Sequence, residues 1–434
     1  METQIPIFMA APFILMLACI AVLPLFAEHF WESNKNKLIV ALVLGIPTSI
    51  WMLANGLGEH VYDSVLFDYI PFIILLGGLY VITGGIFIDA DFEASPRNNT
   101  IILIIGAVLA SFMGTTGAAM LLIRLLLHTN KQRKHKVHTV LFFIGIVANC
   151  GGLLTPLGDP PLFMMYLRGA DFFWFFNFWQ PWLFVNAVLL ICYNIMDRYW
   201  YKREDKEEKA ADKTELQPLK VTGTLNFVWL LLVIAAVAFI NPKYLPFMNE
   251  NPFFGFLRDA VIIIATALSL ITTKKSVRQE NNFSWSPIME VAYLFIGIFL
   301  TMVPVLLLLK TNAGSLGIDT TTAFYYCAGA LSSFLDNTPT AVTFYSLAQG
   351  LFAGNPELIN GEIVAGIPSI FMEAICVAAV TFGSLTYIGN GPNFMVKSIA
   401  EQEGIKMPQF FQYMIKFSLI IILPTLILCN LIFF

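Results

Sequence analysis

Charge is scarce in this chain. Only 12% of its 434 residues are Asp, Glu, Lys or Arg, while 57% are hydrophobic, and the mean hydropathy is +0.73. A soluble domain carries about twice that share of charge, so no water-facing surface can be built from what is here. A soluble enzyme, a secreted module and a disordered chain are excluded. Cysteine is sparse as well: Cys19, Cys150, Cys192, Cys327, Cys376 and Cys429 all lie in apolar stretches, with no C-x-x-C among them. That pattern speaks against a disulfide framework or a thiolate metal site. A nucleotide-binding loop is missing, so any transport must draw on an ion gradient. Nothing marks a nucleic-acid surface. The class left is an all-α polytopic membrane protein, whose first partner is the lipid bilayer.

Spanning helices need about 20 apolar residues. Such runs occur at 6–27, 38–57, 68–88, 174–195, 223–241, 255–273, 286–309 and 410–433. With the interrupted apolar regions 100–169 and 319–405 they predict about ten spanning helices. The first run, Pro6 to Ala27, is longer than a signal-peptide core and has no basic residue before it, so it reads as a spanning helix. One hydrophilic segment stands out, 196–222 with KREDKEEKAADK, and reads as a solvated linker between an N-terminal half (1–195) and a C-terminal half (223–434).

Basic residues orient the chain. If loops 28–37, 89–99, 128–137, 196–222, 274–281 and 397–416 face the cytoplasm, they hold 20 of the 25 Lys and Arg. The other face keeps Arg168, Lys243, Arg258 and Lys310, a bias that satisfies the positive-inside rule. Segment 100–127 then has both ends inside, and segment 319–350 has both ends outside. Each is broken in its middle, by GTTG at 114–117 and by DNTP at 336–339. Two re-entrant hairpins of opposite orientation follow, one on the cytoplasmic side and one on the external side.

The two halves also repeat each other. Leu154-Thr-Pro-Leu-Gly-Asp-Pro-Pro-Leu-Phe-Met164 aligns with Leu385-Thr-Tyr-Ile-Gly-Asn-Gly-Pro-Asn-Phe-Met395 at six of eleven positions. Upstream, Leu109 to Gly117 aligns with Leu331 to Pro339 at four of nine. Each half therefore carries a hairpin followed by a broken helix, at 138–168 and at 364–403. Paired Gly/Pro-interrupted segments in inverted halves are the signature of a transporter with a midplane site. Backbone accounting gives the reason: in hydrocarbon, irregular backbone persists only where it is buried or lines a wet cavity.

With these motifs in place, the chain resembles the ion transporter superfamily. TPLGDPP paired with SFLDNTP and TYIGNGPN is similar to the NhaD-type sodium/proton antiporters and to the arsenite, citrate and dicarboxylate carriers. The resemblance implies a scaffold, a transport body carrying both hairpins, elevator-like movement and a homodimer. It also implies an integral membrane protein, expected in a bacterial inner membrane, and a carrier rather than an enzyme. An intramembrane aspartyl protease built on Asp159 and Asp336 would need Gly where Pro156 stands, and it gives the Asn390 break no role.

The interruptions supply Thr115, Thr116, Thr155, Gly158, Asp159, Asp336, Asn337, Thr338, Thr386, Gly389 and Asn390 as candidate ion- or substrate-binding residues. Their side chains are hard oxygen donors, suited to sodium. Asp336, Asn337, Asp159 and Asn390 are the expected sodium ligands, with sodium as substrate or coupling ion and no other cofactor. Burial disfavours a lone charged carboxylate and a bound cation favours it, so one such group can exchange a proton for sodium. Asp336 is the first choice, because its counterpart in the other half is the neutral Gly114. A sodium/proton antiporter is the expectation. A sodium-coupled citrate or dicarboxylate carrier, or an arsenite exporter, would use the same scaffold. Glu373 reads as an interfacial carboxylate. Arg124 is expected to snorkel to the cytoplasmic face, and His128 to His138 to form a solvated basic loop.

Overall fold

Apolar length sets the helices, and Gly, Pro and Asn set where they break. The computed structural model describes residues 5–214, 216–355 and 361–434. Eight helices among them are long and apolar enough to cross a membrane. The chain opens with α1 (Ala11–Phe26), α2 (Asn34–Ala54) and α3 (Gly58–Thr83). The first hairpin follows, with arms α4 (Pro96–Met113) and α5 (Thr115–Thr129). Its start carries the expected signals: Pro96 at the first position and the Ser95 hydroxyl accepting from Asn98 N at 3.3 Å. Its tip is the single residue Gly114 at φ +82°, a conformation that a side chain resists.

The first broken helix comprises α6 (Val137–Ile146), an irregular stretch through Asp159, and α7 (Pro160–Leu167). Next come α8 (Trp179–Tyr201), the short α9 (Lys206–Thr214), α10 (Leu225–Phe239), α11 (Phe256–Thr272) and α12 (Ser286–Asn312). The second hairpin is α13 (Thr321–Phe334) and α14 (Asn337–Gly354). The second broken helix is α15 (Ser369–Phe382) and α16 (Gly391–Gln402), and α17 (Phe410–Phe433) closes the chain. Helix α12 packs on α2 and on hairpin arm α14, while α11 packs on α3 and α10. Arg168, just past α7, makes a two-pronged pair with Asp68 in α3, with Nη2 3.0 Å from Oδ2.

The charged segments differ from expectation in two places. First, segment 196–222 is not a plain solvated linker. Helix α8 runs on to Tyr201, α9 follows, and β2 (Gln217–Thr222) pairs antiparallel with β1 (Phe87–Asp91), Thr222 opposite Phe87. Second, the stretch from His128 to His138 is only partly solvated: Thr129, Asn130, Arg133 and His138 are buried, while Lys131 and Lys134 stay exposed. Arg133 Nη2 lies 2.6 Å and His138 Nε2 2.8 Å from the fully buried Asp197 Oδ1, and Glu204 accepts from Lys134 N and His135 N. Arg133, His138, Asp197 and Glu204 thus withdraw one another from water while most other charges of linker and loop stay exposed, a division that a count of polar residues cannot reveal.

Arg124 Nη1 donates to Glu280 O at 3.4 Å. Glu373 is half-buried, taking a hydrogen bond from Ser369 at 3.0 Å. Loop 351–365, which carries no Lys or Arg, lies partly outside the described residues; its far end leads into a short ribbon, β3 (Ile363–Val364) with β4 (Ile367–Pro368).

Candidate ion-binding centre

The inverted sequence repeat is also a repeat of hydrogen bonds. Thr155 Oγ1 donates to Ser111 O, and its counterpart Thr386 Oγ1 donates to Ser333 O at 2.5 Å. Each threonine hydroxyl also accepts from the backbone two residues on, Leu157 N at 3.1 Å and Ile388 N at 3.2 Å. Thr155 and Thr386 are therefore stitches that hold each break against its own hairpin.

Gly158 and Gly389 permit this approach. A Cβ at Gly158 would lie 2.0 Å from Gly152 O, and one at Gly389 would lie 2.6 Å from Gly383 O and 2.9 Å from Ser332 O. Backbone already fills these places, so both glycines are required by contact and do not open onto a cavity at that point.

The stitching brings four helix starts together. Helices α5, α7, α14 and α16 begin at Gly114, Asp159, Asp336 and Asn390. Asp159 is the meeting point and is 1% exposed. Its Oδ1 accepts from Thr115 Oγ1 at 2.8 Å and from Asn390 Nδ2 at 3.3 Å, and its Oδ2 accepts from Asn337 Nδ2 at 2.8 Å. The first hairpin, the second hairpin and the second broken helix thus all bond to one carboxylate. All three donors are neutral. Thr115 N also donates to Gly158 O at 2.9 Å, fixing the first tip to the first break.

Asp336 sits differently. It is half-buried, and its Oδ1 accepts from Thr338 N at 3.0 Å as the N-cap of α14. Its charge is near enough to act on Asp159, but its hydrogen bonds serve its own hairpin arm. Of the sodium ligands expected, Asp159, Asn337 and Asn390 are therefore in direct contact, while Asp336 stands beside them. Thr116 is half-buried and bonds to none of these groups.

Three further residues belong to the centre. Asn149 Nδ2 donates to Asn393 Oδ1 at 2.7 Å, and Asn149 Oδ1 accepts from Asn390 at 3.3 Å, so the two breaks are joined across the repeat. Asn393 holds the second break through Gly383 O at 2.8 Å and Thr386 O at 2.9 Å. Ser332 Oγ lies 2.6 Å from both Asn337 Oδ1 and Ala379 O, and so can meet either end of that amide. Asn149 carried a signal in the sequence, a lone amide within an apolar run just ahead of Gly151-Gly152. Ser332 carried none.

Chemically, the centre offers one acid, several amide and hydroxyl oxygens, and the positive ends of four helices. A family model described as "Putative citrate transport" matches residues 2–434. No curated protein matches the chain.

Proposed function

The chain belongs to that citrate-transport family, and on that premise we propose that this secondary transporter exchanges sodium for protons at Asp159. The observation that carries the proposal is a buried carboxylate whose partners from three separate segments, Thr115, Asn337 and Asn390, are all neutral. A lone buried charge is costly, so Asp159 needs a proton or a cation whenever those hydrogen bonds loosen.

The amides make the exchange reversible. Asn337 and Asn390 turn their NH2 groups toward Asp159, and half a turn of either amide would present its oxygen instead. Donors then become ligands for a small hard cation, with Thr115 Oγ1 completing the set. Sodium and a proton compete for the same carboxylate, which couples their movements. The joined hairpin tips and breaks, one set from each inverted half, support access from alternate sides.

A second reading is a sodium-coupled carrier of citrate or a related carboxylate. The family description and the four convergent helix starts favour it, since helix N-termini attract anions. Proteoliposomes separate the two. A sodium jump should release protons with no citrate present. Uptake of labelled citrate that requires sodium, with no proton release in its absence, would replace the first reading by the second.

A further inference from the structure

Helices α4 and α8 meet at their charged ends. Asn194 Nδ2 donates to Thr100 Oγ1 at 2.9 Å and to Pro96 O at 3.4 Å, and Tyr201 Oη donates to Glu93 Oε1 at 3.4 Å. The last turns of α8 therefore lie beside the first turn of α4. Arg198 stands one turn beyond Asn194 on the same side of α8, between these two anchoring levels. Arg97 follows Pro96 directly, and both arginines are exposed. Among the described residues neither makes an ion pair, whereas Arg133, Lys134 and Lys213 each hold a carboxylate.

Away from the arginines both helices turn apolar. Arg97, Ile101, Ile105 and Val108 recur at steps of three and four residues, so they share one face of α4. Ile191, Ile195 and Arg198 share a face of α8 in the same way. Each of these aliphatic side chains is at least 41% exposed. The face of α4 from Arg97 to Val108 is about 16 Å long. One leaflet's share of the hydrocarbon core is about 15 Å. The exposed stripe is thus as deep as one layer of acyl chains, and its polar end carries two unpaired guanidinium groups.

We propose that an anionic glycerophospholipid binds along the seam between α4 and α8. Its phosphate sits between Arg97 and Arg198, whose planar donor forks match phosphate oxygens. Its chains lie over Ile101, Ile105, Ile191 and Ile195. Lys202, one turn past Arg198 and also exposed, adds positive charge, so a headgroup of net negative charge is preferred to a zwitterionic one. The acid closest to the site in the chain, Glu93, is already held by Tyr201 and Lys213. The seam shares no residue with the Asp159 centre, so the proposal does not depend on sodium/proton exchange.

The test is native mass spectrometry of the purified full chain in detergent, titrated with phosphatidylglycerol or with phosphatidylcholine of the same chains. The first phosphatidylglycerol should bind about tenfold more tightly than phosphatidylcholine. Arg97→Gln and Arg198→Gln should each weaken it about fivefold, and the double variant should bring it to the phosphatidylcholine level. Both side chains are exposed and unpaired, so their loss should leave the packing intact. Lys275→Gln, at another exposed position on the same expected face, should leave the affinity unchanged. Inorganic phosphate at millimolar concentration should not displace the lipid, because it has no chains to lay on the isoleucines. Equal binding of the two lipids, or undiminished phosphatidylglycerol binding in the double variant, overturns the proposal. So does a loss as large in Lys275→Gln, which would reduce the effect to overall charge, or displacement by phosphate. Failure of sodium/proton exchange is read separately, by proton release.

Discussion

Asp159→Asn isolates the proposed proton carrier. The substitution keeps the shape of the side chain and removes its titration. Oδ1 of the new amide can still accept from Thr115 and Asn390, as the carboxylate does at 2.8 and 3.3 Å. Its NH2 group, however, would face the NH2 of Asn337, which now donates to Oδ2 at 2.8 Å. Asn337 can turn its oxygen toward that group, because Ser332 Oγ can donate to Ala379 O at 2.6 Å and accept from the turned NH2. The structural loss is one hydrogen bond to a charged group, about 1.5–3 kcal/mol, partly offset because a buried charge is no longer present. The protein should fold and reach the membrane. Sodium-driven proton movement should fall about 100-fold or more, the scale of removing a proton-transfer group. The assay is a sodium jump across proteoliposomes containing a pH-sensitive dye, with Asp336→Asn in parallel. Asn caps a helix as well as Asp does, so Asp336→Asn should keep the Thr338 cap and much of the exchange. Near-normal exchange in Asp159→Asn, with exchange lost in Asp336→Asn, would refute the reasoning and move the carrier to Asp336.

Gly389→Ala should lower thermal stability in detergent by about 1–3 kcal/mol, the cost of overpacking, because its Cβ meets Gly383 O at 2.6 Å; Gly391→Ala, with nothing within 4 Å, should be neutral. Equal melting of the two variants would show that the backbone contact is not tight. Single cysteines at Lys134 and at Glu362, both exposed, should react with an impermeant reagent from opposite sides of the membrane; labelling of both from outside would break the inverted-hairpin topology. Asp212 on α9 is held above the usual carboxylate range, first by burial and then by the charges of Asp91 and Glu93, against the Ala94 N–H and Arg133. A raised carboxyl contributes docking stability that is complete below its unfolded pKa and lost as pH rises through the folded one. Hydrogen-exchange protection of 206–214, corrected for intrinsic rate, should therefore fall from acid toward neutral pH, and Asp212→Asn should flatten that dependence.

The sequence by itself determined the membrane class, the two hairpins, the two breaks and their repetition. These rest on signals carried within about 20 residues: apolar length against bilayer thickness, and Gly, Pro and Asn where a helix cannot continue. The fine register of the repeat was legible too, since Thr155 and Thr386 make matching bonds to Ser111 and Ser333. Only the tertiary structure decided which carboxylate occupies the centre. Asp159 and Asp336 are both N-caps at a break, with similar neighbours, and local sequence cannot rank them. The ranking comes from Asn337 and Asn390, which reach Asp159 across 178 and 231 positions of chain. The same holds for Asp197, which meets His138 and Arg133 in a buried cluster where composition had indicated a solvated loop. Hydropathy and helix breaking act along the chain. The choice of partner for a buried polar group acts through space, where the cost of leaving it unpaired is settled by whichever segments the fold brings beside it.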